Sequence, residues 1–476
     1  MRGELVEQDA NDESVEVILE KIEEERQRLI DENKIRKQRS LPSIEKEELP
    51  YKLPRGWKWV RLGDIGEWKS GSTPSRSNSK YYNGNIPWLK TGELKDNFIY
   101  DSQEKISELA LKETSLRLNK PGDVLIAMYG ATIGKLGILK VEATTNQACC
   151  ACTPFNGVYN KFLFYYLRSI RQILKSKAAG GAQPNISREK IVNTIFPLPP
   201  YSEQKRIVDK IDLLFNLCDN WEKEVEKQQK YLIALREKVL DDAMKGLLVE
   251  QDDNDEPAEV LVKKIEEEKQ RLIKEKKIKK QQPHPIQHEE IPYEPLPNGW
   301  AWARINDVAL INPRNKINDE LEVGFVPMKL IQEGYSIEHD VEVRKWGEVK
   351  KGFTHFQEND VIVSKITPCF ENRKSSIVKN LPNNYGAGTT ELHVVRPFHK
   401  YILKEYLMIH FKSKRFIETG IENFSGTAGQ QRINKDFISN YVIGIPPLNE
   451  QRRIVEKVKK LFAYIVELES QIILPK

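Results

Sequence analysis

Gly3-Glu4-Leu5-Val6-Glu7-Gln8-Asp9 recurs as Gly246-Leu247-Leu248-Val249-Glu250-Gln251-Asp252. The likeness continues without a gap through Lys21-Ile22-Glu23-Glu24-Glu25-Arg26-Gln27-Arg28-Leu29-Ile30 and Lys264-Ile265-Glu266-Glu267-Glu268-Lys269-Gln270-Arg271-Leu272-Ile273, at an offset of 243 residues. It holds again at Gly56-Trp57-Lys58-Trp59 against Gly299-Trp300-Ala301-Trp302. The offset has drifted to 247 where Pro199-Pro200-Tyr201-Ser202-Glu203-Gln204-Lys205-Arg206-Ile207-Val208 matches Pro446-Pro447-Leu448-Asn449-Glu450-Gln451-Arg452-Arg453-Ile454-Val455. The chain is therefore two copies of one unit, and a repeat of this kind fixes the architecture before any single element is assigned.

Between the matched borders the copies diverge. Residues 67–180 and 310–425 share only faint landmarks, such as Gly122-Asp123-Val124-Leu125 against Asn359-Asp360-Val361-Ile362. A common frame with dissimilar contents suits two equivalent modules that must read two different things.

At 476 residues, 39% hydrophobic and 30% charged, the chain can build two or three cores and long solvated helices. No apolar run reaches the roughly 18 residues a membrane span needs. The N-terminus lacks a signal-peptide core, and five scattered cysteines form no disulfide framework, so a cytoplasmic location is expected. The net charge of +5 is unevenly spread: residues 51–200 carry +11, whereas the flanking 1–50 and 201–290 carry −6 and −4. A basic block between acidic helical stretches points to a polyanionic partner, although charge alone fits a plain basic surface equally well.

After Ser202, apolar residues fall at Ile207, Ile211, Leu214, Cys218, Trp221 and Val225, then Leu232, Leu235 and Val239. The terminal segment repeats the pattern at Ile454, Val458, Leu461, Ile465, Leu468 and Ile472. Spacings alternating four and three are the signature of a left-handed coiled coil. Either stripe alone could be a core helix, but two equivalent stripes make mutual pairing the expectation. Ser202 and Asn449, behind proline pairs, are the expected N-caps. A helix of about 44 residues is about 65 Å long and could hold two domains well apart. Because Met1-Arg2-Gly3 matches Met244-Lys245-Gly246, the N-terminus starts about where the second copy stops. A pseudo-two-fold, nearly circular arrangement follows.

The variable blocks read as α+β. Ile86-Pro87-Trp88-Leu89-Lys90 and Val124-Leu125-Ile126-Ala127-Met128-Tyr129 are expected as buried strands, bounded by Asn83-Gly84 and Pro121-Gly122-Asp123. Residues 71–80 form a polar loop, and the proline-rich stretch 282–297 is a linker. Five segments result: 1–50 helical, 51–200 first variable block, 201–290 long helix and linker, 291–448 second variable block, 449–476 terminal helix.

Signals of catalysis fail on inspection. Gly130-Ala131-Thr132-Ile133-Gly134-Lys135 is one residue short of a phosphate loop and is followed by Leu136, not Ser or Thr. Pro197-Leu198-Pro199-Pro200-Tyr201 resembles the Asn-Pro-Pro-Tyr of adenine methyltransferases, but Leu198 lacks the polar group that would hold an adenine amine. Cys149, Cys150 and Cys152 lack zinc-ligand spacing and are expected as small buried side chains. All seven histidines lie in the second copy, which rules out a duplicated histidine site. No cofactor or metal is expected.

At this point the residues resemble a known family, the specificity subunits of type I restriction-modification systems (HsdS). The likeness is carried by the doubled Leu-Val-Glu-Gln-Asp and Lys-Ile-Glu-Glu-Glu segments, Leu53-Pro54-Arg55-Gly56-Trp57-Lys58-Trp59, Ile86-Pro87-Trp88-Leu89-Lys90-Thr91-Gly92-Glu93-Leu94, Gln183-Pro184-Asn185-Ile186-Ser187 and Pro197-Leu198-Pro199-Pro200-Tyr201-Ser202-Glu203-Gln204. In the second copy Phe325-Val326-Pro327-Met328, Lys365-Ile366-Thr367-Pro368-Cys369-Phe370-Glu371-Asn372 and Gly388-Thr389-Thr390-Glu391-Leu392-His393 fit as well. The resemblance implies two target-recognition domains separated by a long antiparallel two-helix coiled coil, each domain reading half of a bipartite site in double-stranded DNA. It implies a non-catalytic subunit, with adenine-N6 methylation and ATP-driven cleavage residing in separate modification and restriction subunits, two methyltransferase chains among them. A coiled-coil adaptor joining proteins without DNA specificity is the rival reading. It accounts for the helices but not for the basic block.

Base edges are read by Arg, Lys, Asn, Gln, Ser and Thr, with aromatics on the backbone or on thymine methyls. The candidates in the first block are Arg76, Lys80, Tyr82, Lys90, Thr91, Glu93, Tyr129, Thr132, Lys135 and Gln183. In the second they are Arg314, Asn315, Lys329, Lys365, Thr367, Arg373, Lys374, Thr390, Gln430, Gln431 and Arg432. Trp57, Trp59, Trp300 and Trp302 sit in the matched frame and are read as core.

Overall fold

The computed structural model describes all residues except 38, 179–183, 281–283, 428–429 and 473–476. The chain divides into two compact units, Met1–Trp221 and Glu222–Lys476. The boundary falls inside the longest helix, Tyr201–Met244, hereafter the central helix. Among the described residues no helix is long and apolar enough to cross a membrane.

In the first unit a five-stranded sheet runs in the order Gly66–Ser70, Cys149–Pro154, Val124–Ala127, Leu136–Leu139, Asn97–Ile99, with only the last pair parallel. Val124, Leu125, Ile126 and Ala127 are all buried, which is why this strand reads as a continuous apolar run and not as an alternation. Cys149, Cys150 and Cys152 are buried in the strand beside it. Burial pushes all three thiols up, Cys150 to about 12, so none is a ready thiolate. A smaller sheet pairs Tyr82–Leu89 with Lys105–Ile106 and Thr144–Thr145.

The second unit keeps the first sheet's core as Ala309–Ile311, Leu392–Pro397, Val361–Ser364 and Ser375–Ile377. Its second sheet differs, running Glu342–Lys345, Glu322–Val326, Tyr385–Gly388, Thr354–Gln357. Divergence in the sequence is thus divergence in one sheet and its loops.

The matched frame is identical in both units down to single hydrogen bonds. A two-stranded ribbon, Lys58–Arg61 with Ile195–Leu198 and Ala301–Arg304 with Val442–Ile445, brings the borders of each variable block together. Trp57 Nε1 donates to Glu203 at 2.9 Å, and Trp300 Nε1 to Glu450 at 3.1 Å. Gln204 accepts from Tyr159 N–H and donates to the Gly157 and Pro199 carbonyls. Gln451 does the same with Leu403, Tyr401 and Pro446. Arg61 forks onto Glu48 and donates to the carbonyls of Pro42, Ser43 and Asn193; Arg304 repeats this with Glu290, His284, Pro285 and Asn440. Trp57 and Trp300 are core, as expected, whereas Trp59 and Trp302 are half-buried against Tyr51 and Tyr293.

The helical repeats complete each unit. Val15, Ile18 and Ile22 share a core with Ile207 and Val208, and Ala258 and Ile265 share one with Ile454 and Val455. Arg206 pairs with Asp12, and Arg453 with Asp255. Gly3 and Gly246 hold positive φ, and an added Cβ would meet the Pro54 or Pro297 ring at 2.1 and 2.6 Å, so the repeat needs glycine at both places.

Two expectations are corrected. The long helices begin at Tyr201 and at Leu448, one residue before Ser202 and Asn449, because each proline pair already supplies the extended backbone that precedes a helix. The heptad stripe is paired along only part of its length. In the second unit the terminal helix, Leu448–Gln471, runs antiparallel to the end of the central helix. Trp300 joins Glu450 and lies against Gly246, while nineteen residues on, Glu469 receives both nitrogens of Arg236 at 2.6 and 2.7 Å. Ile454, Val458 and Ile465 are buried there, Leu461 and Ile472 are half-buried, and Val225 is buried further along the central helix. Leu214, Cys218, Trp221 and Leu468 are instead exposed among the described residues, and Ile207 is buried in the first unit's own core.

Removing a buried arginine fork strands five acceptors, so Arg61→Ala or Arg304→Ala is expected to lower unfolding free energy by about 3 kcal/mol, measured by urea denaturation. Glu450 Oε1 is buried without a hydrogen-bond partner, and burial pushes its carboxyl up to about 7. The folded state therefore holds a proton that the unfolded chain releases above about 4.5. Its contribution is present below that value and lost as pH rises through 7. Glu450→Gln is expected to flatten stability against pH between these limits, a difference of up to about 3 kcal/mol. Parallel wild-type and variant curves would refute this.

Candidate nucleic-acid interface

In the first unit the connection Thr145–Ala148 gathers the candidate segments. Thr145 O accepts from Ser72 N, Gln147 bonds Thr73, Asn146 N donates to Leu89 O, and Ala148 O accepts from Met128 N. Met128 O in turn accepts from Ile186 N, and Pro184 O from Gly130 N. The polar loop, the residues after the Pro-Trp strand, the Gly130 turn and the segment after 183 thus meet at one end of the large sheet. Gln147, exposed there, was not among the sequence candidates. Only its neighbour Thr145, an edge-strand threonine, hinted at a polar turn.

Arg76 is the centre of the first cluster. Its guanidinium lies 4.5 Å from the Tyr82 ring centroid and 5.2 Å from that of Trp88, and it pairs with Glu104 at 2.7 Å. Lys90 lies 5.5 Å from the Trp88 centroid and binds the other oxygen of the same carboxylate. Two cations thus share one anion over an edge-to-face aromatic pair. The hydrogen bonds from Lys90 and Arg76 hold the Glu104 carboxyl below its usual range. Tyr82 is fixed by its hydroxyl donating to Pro74 O at 2.6 Å, so it serves as a platform for Arg76. The groove here, about 420 Å³, is lined by Arg76, Tyr82, Gln103, Glu104 and Lys105.

The other first-unit candidates divide. Lys80 and Tyr129 are exposed, and Thr91 is half-buried. Thr132 is half-buried with its hydroxyl on the Tyr129 carbonyl. Lys135 shares Asp96 with Arg171. Glu93 is corrected: both its oxygens accept local bonds, from Lys90 N, Ser102 Oγ and Gln103 N, so it closes a turn. Gln183, like 282–283 of the linker, lies outside the described residues.

The second unit builds its cluster from the equivalent segments. Lys365 N donates to Glu391 O, Ile433 N to Lys365 O, and Thr367 N to Gln431 O, the pattern made by Met128, Ala148, Ile186, Gly130 and Pro184. Arg314, Lys365 and Thr390 line a cavity of about 280 Å³ with Asn312, His355 and His393. Burial lowers both imidazoles, His393 to about 4, so both are neutral near pH 7. His393 bridges Asn312 and Ile433 O, and His355 bridges Asn315 N and Lys350 O. The charge of the cavity is therefore that of Arg314 and Lys365, and Lys365 has no ion pair among the described residues. Sequence reading missed the two histidines, whose role depends on pairings distant in the chain.

Arg432 forks onto Glu391 at 2.8 and 3.0 Å beside this cavity. Asn315 donates to Phe356 O, Thr367 to Glu371, and Gln430 and Gln431 flank Arg432. Lys374 is half-buried in the same loop. Lys329 stands apart, exposed and paired with Glu342 at 3.4 Å. Arg373 is corrected: it pairs with Glu237 of the central helix at 3.0 Å, covers the Tyr335 ring and donates to Lys412 O. It fastens the domain to the helix.

Comparison with known proteins is consistent along the chain. Residues 54–229 and 297–474 each match the family model of the type I restriction modification DNA specificity domain. The type I restriction enzyme EcoAI specificity subunit of Escherichia coli is 47% identical over 239 residues, 50% of this chain and 40% of that subunit's length. The MjaIX specificity subunit of Methanocaldococcus jannaschii is 24% identical over 89% of this chain and 91% of its own. The fold is similar to that of an HsdS subunit from Thermoanaerobacter tengcongensis, with a TM-score of 0.55 and 19% identity over 90% of this chain and 94% of that one.

Proposed function

The chain belongs to the type I restriction-modification DNA specificity family, and from that premise we propose that each unit reads one half of a bipartite double-stranded DNA target. The observation that carries the reading is the pairing of one frame with two different polar clusters. Main-chain bonds at Met128 and Lys365 are the same, while the side chains gathered around them differ in kind. A protein with one target half would have no use for two unlike readers on duplicated supports.

Arg76 and Arg314 are the proposed base readers, since a guanidinium held by aromatic faces or carbonyls offers the planar fork that suits guanine. Thr390, Gln431 and Gln147 supply single and paired hydrogen bonds for other bases. Lys80, Lys90, Lys135 and Lys365 are proposed on phosphates, which set register and affinity without sequence information. Arg432, aimed by Glu391, completes the second reader. The subunit itself is proposed to carry no catalysis. It delivers sequence to modification and restriction subunits and uses its long helices to set the unread spacer.

Arg314→Ala with Lys365→Ala, tested in the complete methylating assembly, is expected to reduce the salt slope of DNA binding by about one to two. The methylated sites mapped across a genome should relax at one half-site only. Equal relaxation of both halves, or unchanged sites with unchanged affinity, would refute the assignment.

A further inference from the structure

The second sheet of each unit carries one arrangement on equivalent strands, although the sequences there share almost nothing. In the first unit Trp88 donates its N–H to the Glu104 carbonyl on an antiparallel neighbour and lies next to Thr144 on a parallel one. In the second unit Phe325 lies opposite Glu342 on an antiparallel neighbour and next to Ala387 on a parallel one. Above Trp88 sits Arg76, and the Glu104 carboxylate receives both Arg76 and Lys90. Above Phe325 sits Arg344, its guanidinium 4.2 Å from the ring centroid, and the Glu342 carboxylate receives Arg344 at 2.8 Å and Lys329 at 3.4 Å. The lysine comes each time from the turn after the strand, Lys90 just before Thr91–Glu93 and Lys329 within Met328–Leu330.

Arg344 is also continuous with the cavity of the second unit. The Phe325 ring meets that of Phe353 edge to face, with centroids 5.1 Å apart, and the Phe353 carbonyl accepts from Arg314 at 3.0 Å. One aromatic pair therefore seats Arg344 on a ring and anchors Arg314 through a carbonyl. Glu342 engages Arg344 through Nη2 alone, which leaves the Nε and Nη1 donors unclaimed among the described residues. The Arg344 side chain is 40% exposed on an edge strand, and an ion pair this open contributes little to stability. Stability thus gives no reason for the arrangement, whereas presentation of a planar fork does.

We infer that Arg344, seated on Phe325 and aimed by Glu342, is a specificity-determining residue of the second unit that takes the O6 and N7 acceptors of a guanine in its half-site, with Lys329 on a neighbouring phosphate. The inference rests on the proposed reading of DNA and enlarges it: the second reader comprises the cavity of Arg314 and Lys365 together with the edge strand Glu342–Lys345. Arg344 is the counterpart of Arg76 by fold and not by sequence position, since Arg76 lies in the loop before its aromatic strand and Arg344 on the strand after it. A sequence match could not have paired them.

Arg344→Lys and Arg344→Ala, each in the full chain within the complete methylating assembly, test this. Lysine keeps the charge but not the fork. Arg344→Lys is therefore expected to leave the thermal midpoint and the salt slope of DNA binding unchanged, while preference at one guanine of the second half-site falls about tenfold or more in genome-wide maps of methylated sites. Arg344→Ala should relax the same position and also lower the salt slope by about one. Unchanged sites in the lysine variant, relaxation at a position other than guanine, or relaxation in both half-sites would overturn the inference. Relaxation in the Arg314→Ala, Lys365→Ala variant without any in the Arg344 variants removes this inference alone. No change in DNA binding or methylated sites in any of them removes the reading of DNA by this unit.

Discussion

Glu203 and Gln204, and their counterparts Glu450 and Gln451, are buried in the first turn of a long helix, where no solvent satisfies them. An acid and an amide in such a place are stabilising only if the surrounding groups arrive in fixed positions. The amide draws in two carbonyls and an N–H from the loop before the preceding helix and from the proline border. The acid takes the indole of the tryptophan that opens the variable block. The start of the helix, the entry to the variable block and its exit are thereby tied at one point. The arginine fork behind the ribbon ties the linker to the same place. Everything between can change in sequence without moving the anchor.

This explains what was legible in the sequence. The anchor needs particular residues at particular positions, so it survives duplication as a visible repeat: Trp57 and Trp300, Glu203 and Glu450, Gly3 and Gly246. Buried strands such as Val124–Ala127 were legible because a run buried on both faces must be apolar throughout. Helix starts were misplaced by two residues because serine and asparagine advertise capping, whereas here proline supplies the extended entry. The heptad stripe was legible as a stripe but not as a set of contacts. Periodicity reports that a face is apolar and says nothing about how far its cover extends.

The recognition residues were less legible for a related reason. Composition marked Arg76, Arg314 and Lys365 as candidate cations, and they do face grooves. It could not distinguish Arg373, of the same residue type in an equally polar loop, because its partner Glu237 lies 136 residues away in the chain. Nor could it show that Glu93 is consumed by its own turn. Charge is a property of a residue, but availability is a property of the fold around it.

The two corrected residues illustrate how one frame carries different readers. In the second unit the loop following the strand Val361–Ser364 spends Arg373 on the helix and leaves Lys365 to the cavity. The equivalent loop of the first unit sets Lys135 beside Asp96, which the helical Arg171 also pairs, and leaves Tyr129 exposed. In both, the main-chain bonds from Met128 and Lys365 keep the loop root in place while the tip is free to vary. A loop whose root is held by backbone groups can exchange any side chain at its tip at little cost in stability, since surface changes away from packed features are usually worth less than about 0.5 kcal/mol. New specificity can then arise without refolding the support, and a change in one unit leaves the other unit's reader untouched.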